Sequence, residues 1–343
     1  MSKLLVVIGI TGKQVSDGKS GQMKFAELKQ GGSVADVYLK EPGWKVRGIS
    51  RNPGMAQTWI DKGVQMVKGD LDDTESLTNA FKGATAIFSV TDFWQPFFNP
   101  ANQAKLKPGQ TINEWCYEYE LQQGKNIADA AAGVQGLNRL IFSATCDATR
   151  CSKGKYTWVY HFDSKGRAVE YIKERYPELA AKMSVVQAGA YMDNWKTGGQ
   201  FTKHTDGTWH LASIGSGDYL VPFFDTVKDM GSVVRVAIQL PPEKNILGVG
   251  SMIGWKEYLK IWCDVNKVPF GGYDEISVAV LEAHLQMPGL GREVGEMFLF
   301  IEEFGYAGGD LNTILASELN VPCALTTWED YVKAEDWSTV LSQ

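Results

Sequence analysis

Short apolar runs and amphipathic stretches take turns through the first half of the chain. "LLVVIG" leads to "GGSVADVYLK", "KVRGIS" to "GMAQTWIDKG", "VQMVKGD" to "DTESLTNAF", "TAIFSVT" to "INEWCYEYELQQGKNIADAAAG", and "RLIFSAT" to "SKGRAVEYIKERYP". The first member of each pair is short and apolar enough for a buried strand, and the second has helical spacing. Strands joined through crossover helices make a parallel sheet covered on both faces, so the fold expected is α/β, a doubly wound parallel Rossmann-type sheet. After "MSVVQAGAYMDNW" the rhythm weakens into short strands, glycine turns and two helical stretches, "WKEYLKIWCDV" and "DEISVAVLEAHLQ". A nucleotide-binding domain is expected over residues 1–185 and a smaller C-terminal α/β substrate-covering region over 186–343. No linker separates them, so they are expected to share an interface.

Composition narrows the function. The chain has 343 residues, 44% hydrophobic and 22% charged, enough apolar material for a large core. A net charge of -6 and the absence of a Lys/Arg-rich run argue against direct nucleic-acid binding. No run approaches the roughly 20 apolar residues that span a bilayer, and the N-terminus has no leader pattern; no membrane association and a cytoplasmic location are expected. Five cysteines without Cys-x-x-Cys spacing suggest neither a disulfide framework nor a zinc site. Cys146 and Cys151 flank a predicted loop near the expected site. The histidines at 161, 204, 210 and 284 are scattered, and no metal centre is expected.

The chemistry begins at the first strand-to-helix turn. Gly9 and Gly12 stand on one side of "VSDGKSGQMKFAELKQ" (15–30), and Gly31 and Gly32 on the other. Without those residues the chain reads Gly9-Ile10-Thr11-Gly12-Lys13-Gln14-Gly31-Gly32, a Gly-x-x-Gly-x-x-Gly turn between strand and helix. Such glycines let the backbone approach a pyrophosphate, whose charge meets the amides of the helix N-terminus. The second strand ends in "GISRNP": Arg51, with Asn52 beside it and no acid, favours the 2'-phosphate of NADP over the free ribose of NAD. Asp70, followed by Leu71, ends the third strand where a carboxylate can reach an adenine amino group; the Asp72/Asp73 pair equally suits a helix cap. Val90 and Thr91, then Phe93 and Trp94, follow the fourth strand and should face the nicotinamide side of the cleft.

These pieces, with "SRNP", "KGDLDD", "IFSVTDFW", "LIFSAT", "HFDSKGRAVEYI" and "AYMDNW", occur in the order found in the NmrA-like family of atypical short-chain dehydrogenases, relatives of isoflavone reductase, which the chain resembles over residues 1 to 195 and on to about 231 through "VPFFDTVKDMG". The resemblance implies an NADP-binding Rossmann fold and a fungal source. It leaves the reaction open, because the family includes reductases, non-catalytic NADP sensors that control transcription factors, and enzymes recruited to fungal secondary metabolism. The Tyr-x-x-x-Lys pair of the wider superfamily does not occur in this chain. His161 instead precedes Lys165 by one helical turn, on one face. In the isoflavone-reductase branch the lysine at the place of Lys165 is the functional residue, so the resemblance implies a cofactor or catalytic role for it. His161 is a candidate proton donor, and Ser143 stands where related enzymes put a substrate-orienting serine. Phe93, Trp94, Tyr191 and Trp195 either line a flat apolar substrate pocket or pack in the core.

The function expected is that of an NADP(H)-dependent reductase of a small aromatic or polycyclic substrate, possible in secondary metabolism. The alternatives are an NADP-sensing regulator with a protein partner and a cofactor-retaining, non-redox cyclase. Residues 15–30 are a functional loop, a benign insertion or a translated short intron, since Val-Ser and Gln can be encoded by GTGAGT and CAG at its ends. They are expected to weaken cofactor binding.

Overall fold

A computed structural model of the chain describes residues 2–12, 30–197, 200–319, 321 and 323–342. The expected apolar runs become strands β1 (Lys3–Val7), β2 (Trp44–Ser50), β3 (Gln65–Lys68), β4 (Ala86–Ser89), β5 (Arg139–Ser143) and β6 (Met183–Ala188). With β11 (Asn245–Gly248) and β14 (Thr313–Leu315) they form one parallel eight-stranded sheet in the order β14-β11-β6-β5-β4-β1-β2-β3. Strand order reverses between β1 and β4, and in open sheets of this kind the crevice at the carboxyl ends of such a pair receives ligands. Helices cover both faces, and the central strands are buried on both sides, which is why they read as unbroken apolar runs.

The C-terminal half contributes β11 and β14 to this sheet, and the division expected at residues 185 and 186 falls inside β6. It also supplies the helix Thr226–Gln239, which lies against the first helix, Gln30–Tyr38. Their contact is made through small residues: the Gly231 amide donates to Ser33 Oγ at 3.0 Å, and a Cβ on Gly231 would lie 2.3 Å from the Ser33 carbonyl oxygen. The sequence pattern did not predict this helix, whose β-branched valines favour strand; Asp225 starts it by accepting from the amides of Val227 and Lys228.

Two small sheets complete the C-terminal region. One holds β7 (Ala190–Tyr191), β10 (Val221–Phe224) and β12 (Ser251–Ile253); the other holds β8 (Thr202–Lys203), β9 (Trp209–Ile214) and β13 (Phe270–Ile276). The stretch expected as one helix, "DEISVAVLEAHLQ", divides: Asp274–Ile276 pair with β9, Ser277 caps, and the helix runs only over Val278–Leu285. Helix Leu290–Phe304, which contains Gly291 and Gly295, was also not anticipated. An aromatic core holds the region together, with Trp328 stacked on Tyr258 (centroids 3.8 Å) and Phe201 on Trp262 (4.4 Å). Among the described residues no helix is long and apolar enough to cross a membrane.

Candidate functional site

The carboxyl ends of β1, β2, β4 and β5 bring the glycine turn, Arg51, Thr91 and Ser143 to one edge of the sheet. Gly9 has φ +75°, a left-handed conformation that favours glycine. Gly31 is the packing glycine of the turn, since a Cβ there would lie 2.5 Å from the Gly9 carbonyl carbon and 2.5 Å from the Ile8 oxygen. Gly32 faces the Trp59 ring. Thr11 and Gly12 are half-buried where the described chain stops, and residues 15–29 of the expected insertion lie outside the described residues.

Gln30 lies inside them and corrects the boundary. It opens the first helix, is 2% exposed, accepts from Ser143 Oγ at 2.7 Å and donates to Tyr191 Oη at 2.8 Å. The signal was present in the sequence: Lys13-Gln14 is repeated as Lys29-Gln30, so removing 13–28 or 15–30 leaves the same chain. Gln30, from the second copy, takes the place between Ser143 and Tyr191.

Arg51 and Asn52 are exposed after β2. Asp73, not Asp72, caps the helix Thr74–Phe81. Asp72 instead accepts from Tyr119 Oη (2.6 Å) and from Gln123 (2.7 Å), while the Leu71 carbonyl accepts from Asn126 (2.8 Å). Burial, the bond to Asp72 and the charge of Asp70 raise the Tyr119 phenol, and Arg51 opposes that rise; the ends of β2 and β3 thus meet on the long helix Ile112–Ala132. Asp70 Oδ1 accepts from the Asp72 amide (3.2 Å), closing this turn.

At the other end of the edge, that long helix crosses the helix Tyr160–Arg175 through two small residues, because a Cβ on Gly124 would lie 2.6 Å from the Ala168 Cβ. One turn earlier on each helix, the close crossing brings Glu120 against Ser164 and Lys165. Lys165 Nζ is 2.8 Å from Glu120 Oε1 and donates to the His161 carbonyl (3.2 Å), with side chains 7% and 1% exposed. Thr91 Oγ1 donates to the same carboxylate (2.7 Å), as does Ser164. Asp92 faces this group. Burial raises its carboxyl; the amides of Gln95 and Trp94, and the Lys165 charge, pull the other way. Sequence reasoning missed Glu120, which looks like one acid among several on a polar helix face.

His161 is not placed as a proton donor. Its Nδ1 is 2.6 Å from Glu293 Oε1, its Nε2 is 3.3 Å from Met297 Sδ, and its ring packs against Trp94 (4.9 Å). Burial pushes the imidazole down to about 3 and Glu293 up to about 8, so near neutral pH the pair is uncharged and shares one proton. Of the two readings left open for the aromatics, the burial favours packing: Phe93, Trp94 and Trp195 are 0%, 5% and 8% exposed. Trp195 belongs to the C-terminal aromatic core, 4.1 Å from Trp337. Tyr191 is half-buried, and Val90 is core.

The buried pair has a pH signature. Glu293, raised from 4.5 to about 8, contributes stability that is complete below 4.5 and lost as pH rises through about 8. His161, lowered from 6.5 to about 3, contributes stability present above 6.5 and lost as pH falls toward 3. Glu293→Gln is therefore expected to flatten the alkaline fall in melting temperature and leave the acid fall in place. Melting curves of both proteins between pH about 6 and about 9 check this; parallel alkaline limbs would contradict it.

A parallel sheet with a glycine turn at its switch point and a buried lysine–carboxylate pair beside it defines a Rossmann-like α/β protein. The NmrA-like family model matches residues 28–332, and the chain belongs to that family. The NmrA-like oxidoreductase hkm9 of Aspergillus hancockii is 30% identical over 319 residues, covering 86% of this chain and 88% of its own. The oxidoreductase ptmS of Penicillium ochrochloron is 27% identical over 273 residues, covering 76% and 71%. Among solved structures, the negative transcriptional regulator NmrA in complex with NADP superposes with a TM-score of 0.64 at 17% identity, covering 97% of this chain and 95% of that one. The leucoanthocyanidin reductase–NADPH complex from Vitis vinifera gives 0.66 at 12%, covering 99% and 100%. At these identities the structural matches establish the shared fold.

Proposed function

We propose that the protein is an NADP(H)-dependent reductase of a small aromatic or polycyclic molecule, serving secondary metabolism. The observation that carries this reading is the buried Lys165, fixed by Glu120 and the His161 carbonyl at the edge where β4 and β5 end. The residues fit a nicotinamide dinucleotide: Gly31 clears the backbone approach behind the turn, and the amides at the start of the first helix supply a positive field for a pyrophosphate. Arg51 and Asn52 would hold the 2'-phosphate, Asp70 and Leu71 the adenine side, and Lys165 the nicotinamide ribose. The bound cofactor supplies hydride. Glu120 keeps the Lys165 ammonium in place, and the Ser143–Gln30–Tyr191 chain ties the glycine turn to the edge of the substrate region. The names of the fungal relatives, NmrA-like oxidoreductases, support the same reading.

Two observations favour a second reading, an NADP-sensing regulator that acts on a protein partner: Phe93 and Trp94 are packed, and the His161 ring, uncharged near neutral pH, is held between Glu293 and Met297. Screening aromatic ketones, enones and imines for loss of NADPH absorbance, with product masses, separates the two. Cofactor choice is a separate prediction. NADP is expected to bind at least roughly tenfold more tightly than NAD, about 1.4 kcal/mol, and Arg51→Ala to erase most of that difference. Equal affinities in the unaltered protein by titration calorimetry would refute it.

A further inference from the structure

We propose that His204, His210 and Asp274 bind one divalent transition-metal ion of the zinc type, at a site remote in the chain from the cofactor turn and independent of it. The three arrive from different pieces of the small sheet. β8 pairs antiparallel with β9, Thr202 opposite His210, and the turn between them returns the His204 amide to the Thr208 carbonyl at 2.8 Å. His204 and His210 therefore share one face, with rings stacked at 3.6 Å between centroids and 2° between planes. β13 pairs with β9 on its other side, Asp274 opposite Ala212, and sets its carboxylate beside His210. One ligand atom from each of the three lies within 4.8 Å of the others.

The hydrogen bonds around His210 hold its ring toward the same point. Asp206 Oδ1 accepts from the Thr208 amide (2.9 Å) and from Thr208 Oγ1 (2.6 Å). An ionised carboxylate only accepts, so the Thr208 hydroxyl spends its hydrogen there, and its oxygen is left to accept from His210 Nε2–H at 3.3 Å. With Nε2 protonated, Nδ1 points a lone pair at Asp274 Oδ2, 3.1 Å away, which is also an acceptor. A cation set between that nitrogen and the carboxylate would bind both. A metal ion satisfies both imidazoles and the carboxylate at once. The Asp206–Thr208–His210 chain is then the outer hydrogen-bonding partner that fixes the tautomer of a ligating histidine.

The surroundings leave room for the ring. A Cβ on Gly271 would lie 2.2 Å from His210 Nε2 and 2.7 Å from Thr208 Oγ1, so the strand passes under the imidazole only because glycine stands there. Two imidazoles and one carboxylate favour zinc, copper or nickel over magnesium or calcium. Ligand atoms around tetrahedral zinc stand about 3.3 Å apart; His210 and Asp274 already meet that spacing, and the exposed His204 closes it by side-chain rotation.

The test is a zinc titration of the full chain against a chromophoric chelator, repeated with cobalt(II) so that a thiolate charge-transfer band exposes any binding by the five cysteines. One equivalent is expected, with a cobalt spectrum lacking that band. His210→Ala and Asp274→Asn are each expected to weaken binding roughly tenfold or more, and His284→Ala to leave it unchanged. Asp274→Asn alters an exposed side chain, and unaltered circular dichroism keeps its result interpretable. Zinc binding equal in the parent and in both site variants, or no binding by the parent, would overturn the proposal.

Discussion

Replacing Lys165 with Met is expected to lower turnover roughly a hundredfold or more, because the ammonium proposed to orient the cofactor is lost and small misplacements of reacting groups carry penalties of that order. The same change also destabilises the fold. Lys165 and Glu120 are buried together at 2.8 Å, and removing one partner leaves a carboxylate stranded at 1% exposure. Breaking such a pair typically costs about 3–5 kcal/mol. The double variant Lys165→Met/Glu120→Gln, which removes both charges, is expected to recover most of the stability and none of the turnover. Urea unfolding beside steady-state rates separates the two effects. A double variant as active as the parent would remove Lys165 from the site, and a single variant as stable as the parent would remove the ion pair from the account of the fold.

Excising residues 13–28 is expected to tighten NADP binding at least roughly tenfold, a gain of about 1.4 kcal/mol. Gln30 is already tied to Ser143 and Tyr191, and Gly31 already lies against Ile8 and Gly9. The shortened chain joins Gly12 directly to Lys29 and Gln30, so the amides between the glycines belong to one tight turn that meets the pyrophosphate. Calorimetry on both proteins measures the gain. Unchanged or weaker binding after excision would make those sixteen residues a neutral or working part of the site.

The sheet was legible because buried parallel strands need no alternation: "LLVV", "AIFS" and "LIFS" announce themselves as apolar runs, and the glycine turn follows the first of them. The C-terminal half was harder to read. Its helix Thr226–Gln239 owes its place to contact with the first helix through Gly231 and Ser33, a long-range packing effect that local propensity does not carry. The place of Lys165 one helical turn after His161 was legible, but its partner was not, since Glu120 reaches it only through the crossing of Gly124 with Ala168. The state of His161 and the packing of the aromatics could not be read from the sequence, because burial and the Glu293 partner, far along the chain, decide them.

The central claim is that the Lys165 edge of the sheet serves hydride transfer. Incubating the unaltered protein with NADPH deuterated at the transferring position, together with the aromatic ketone, enone and imine panel, tests it most directly by mass spectrometry. The expected result is one substrate class returned with deuterium incorporated in step with NADPH loss, and no incorporation with the Lys165→Met/Glu120→Gln variant. Tight NADPH binding with every substrate class returned unlabelled would contradict the reductase account and leave the regulatory one.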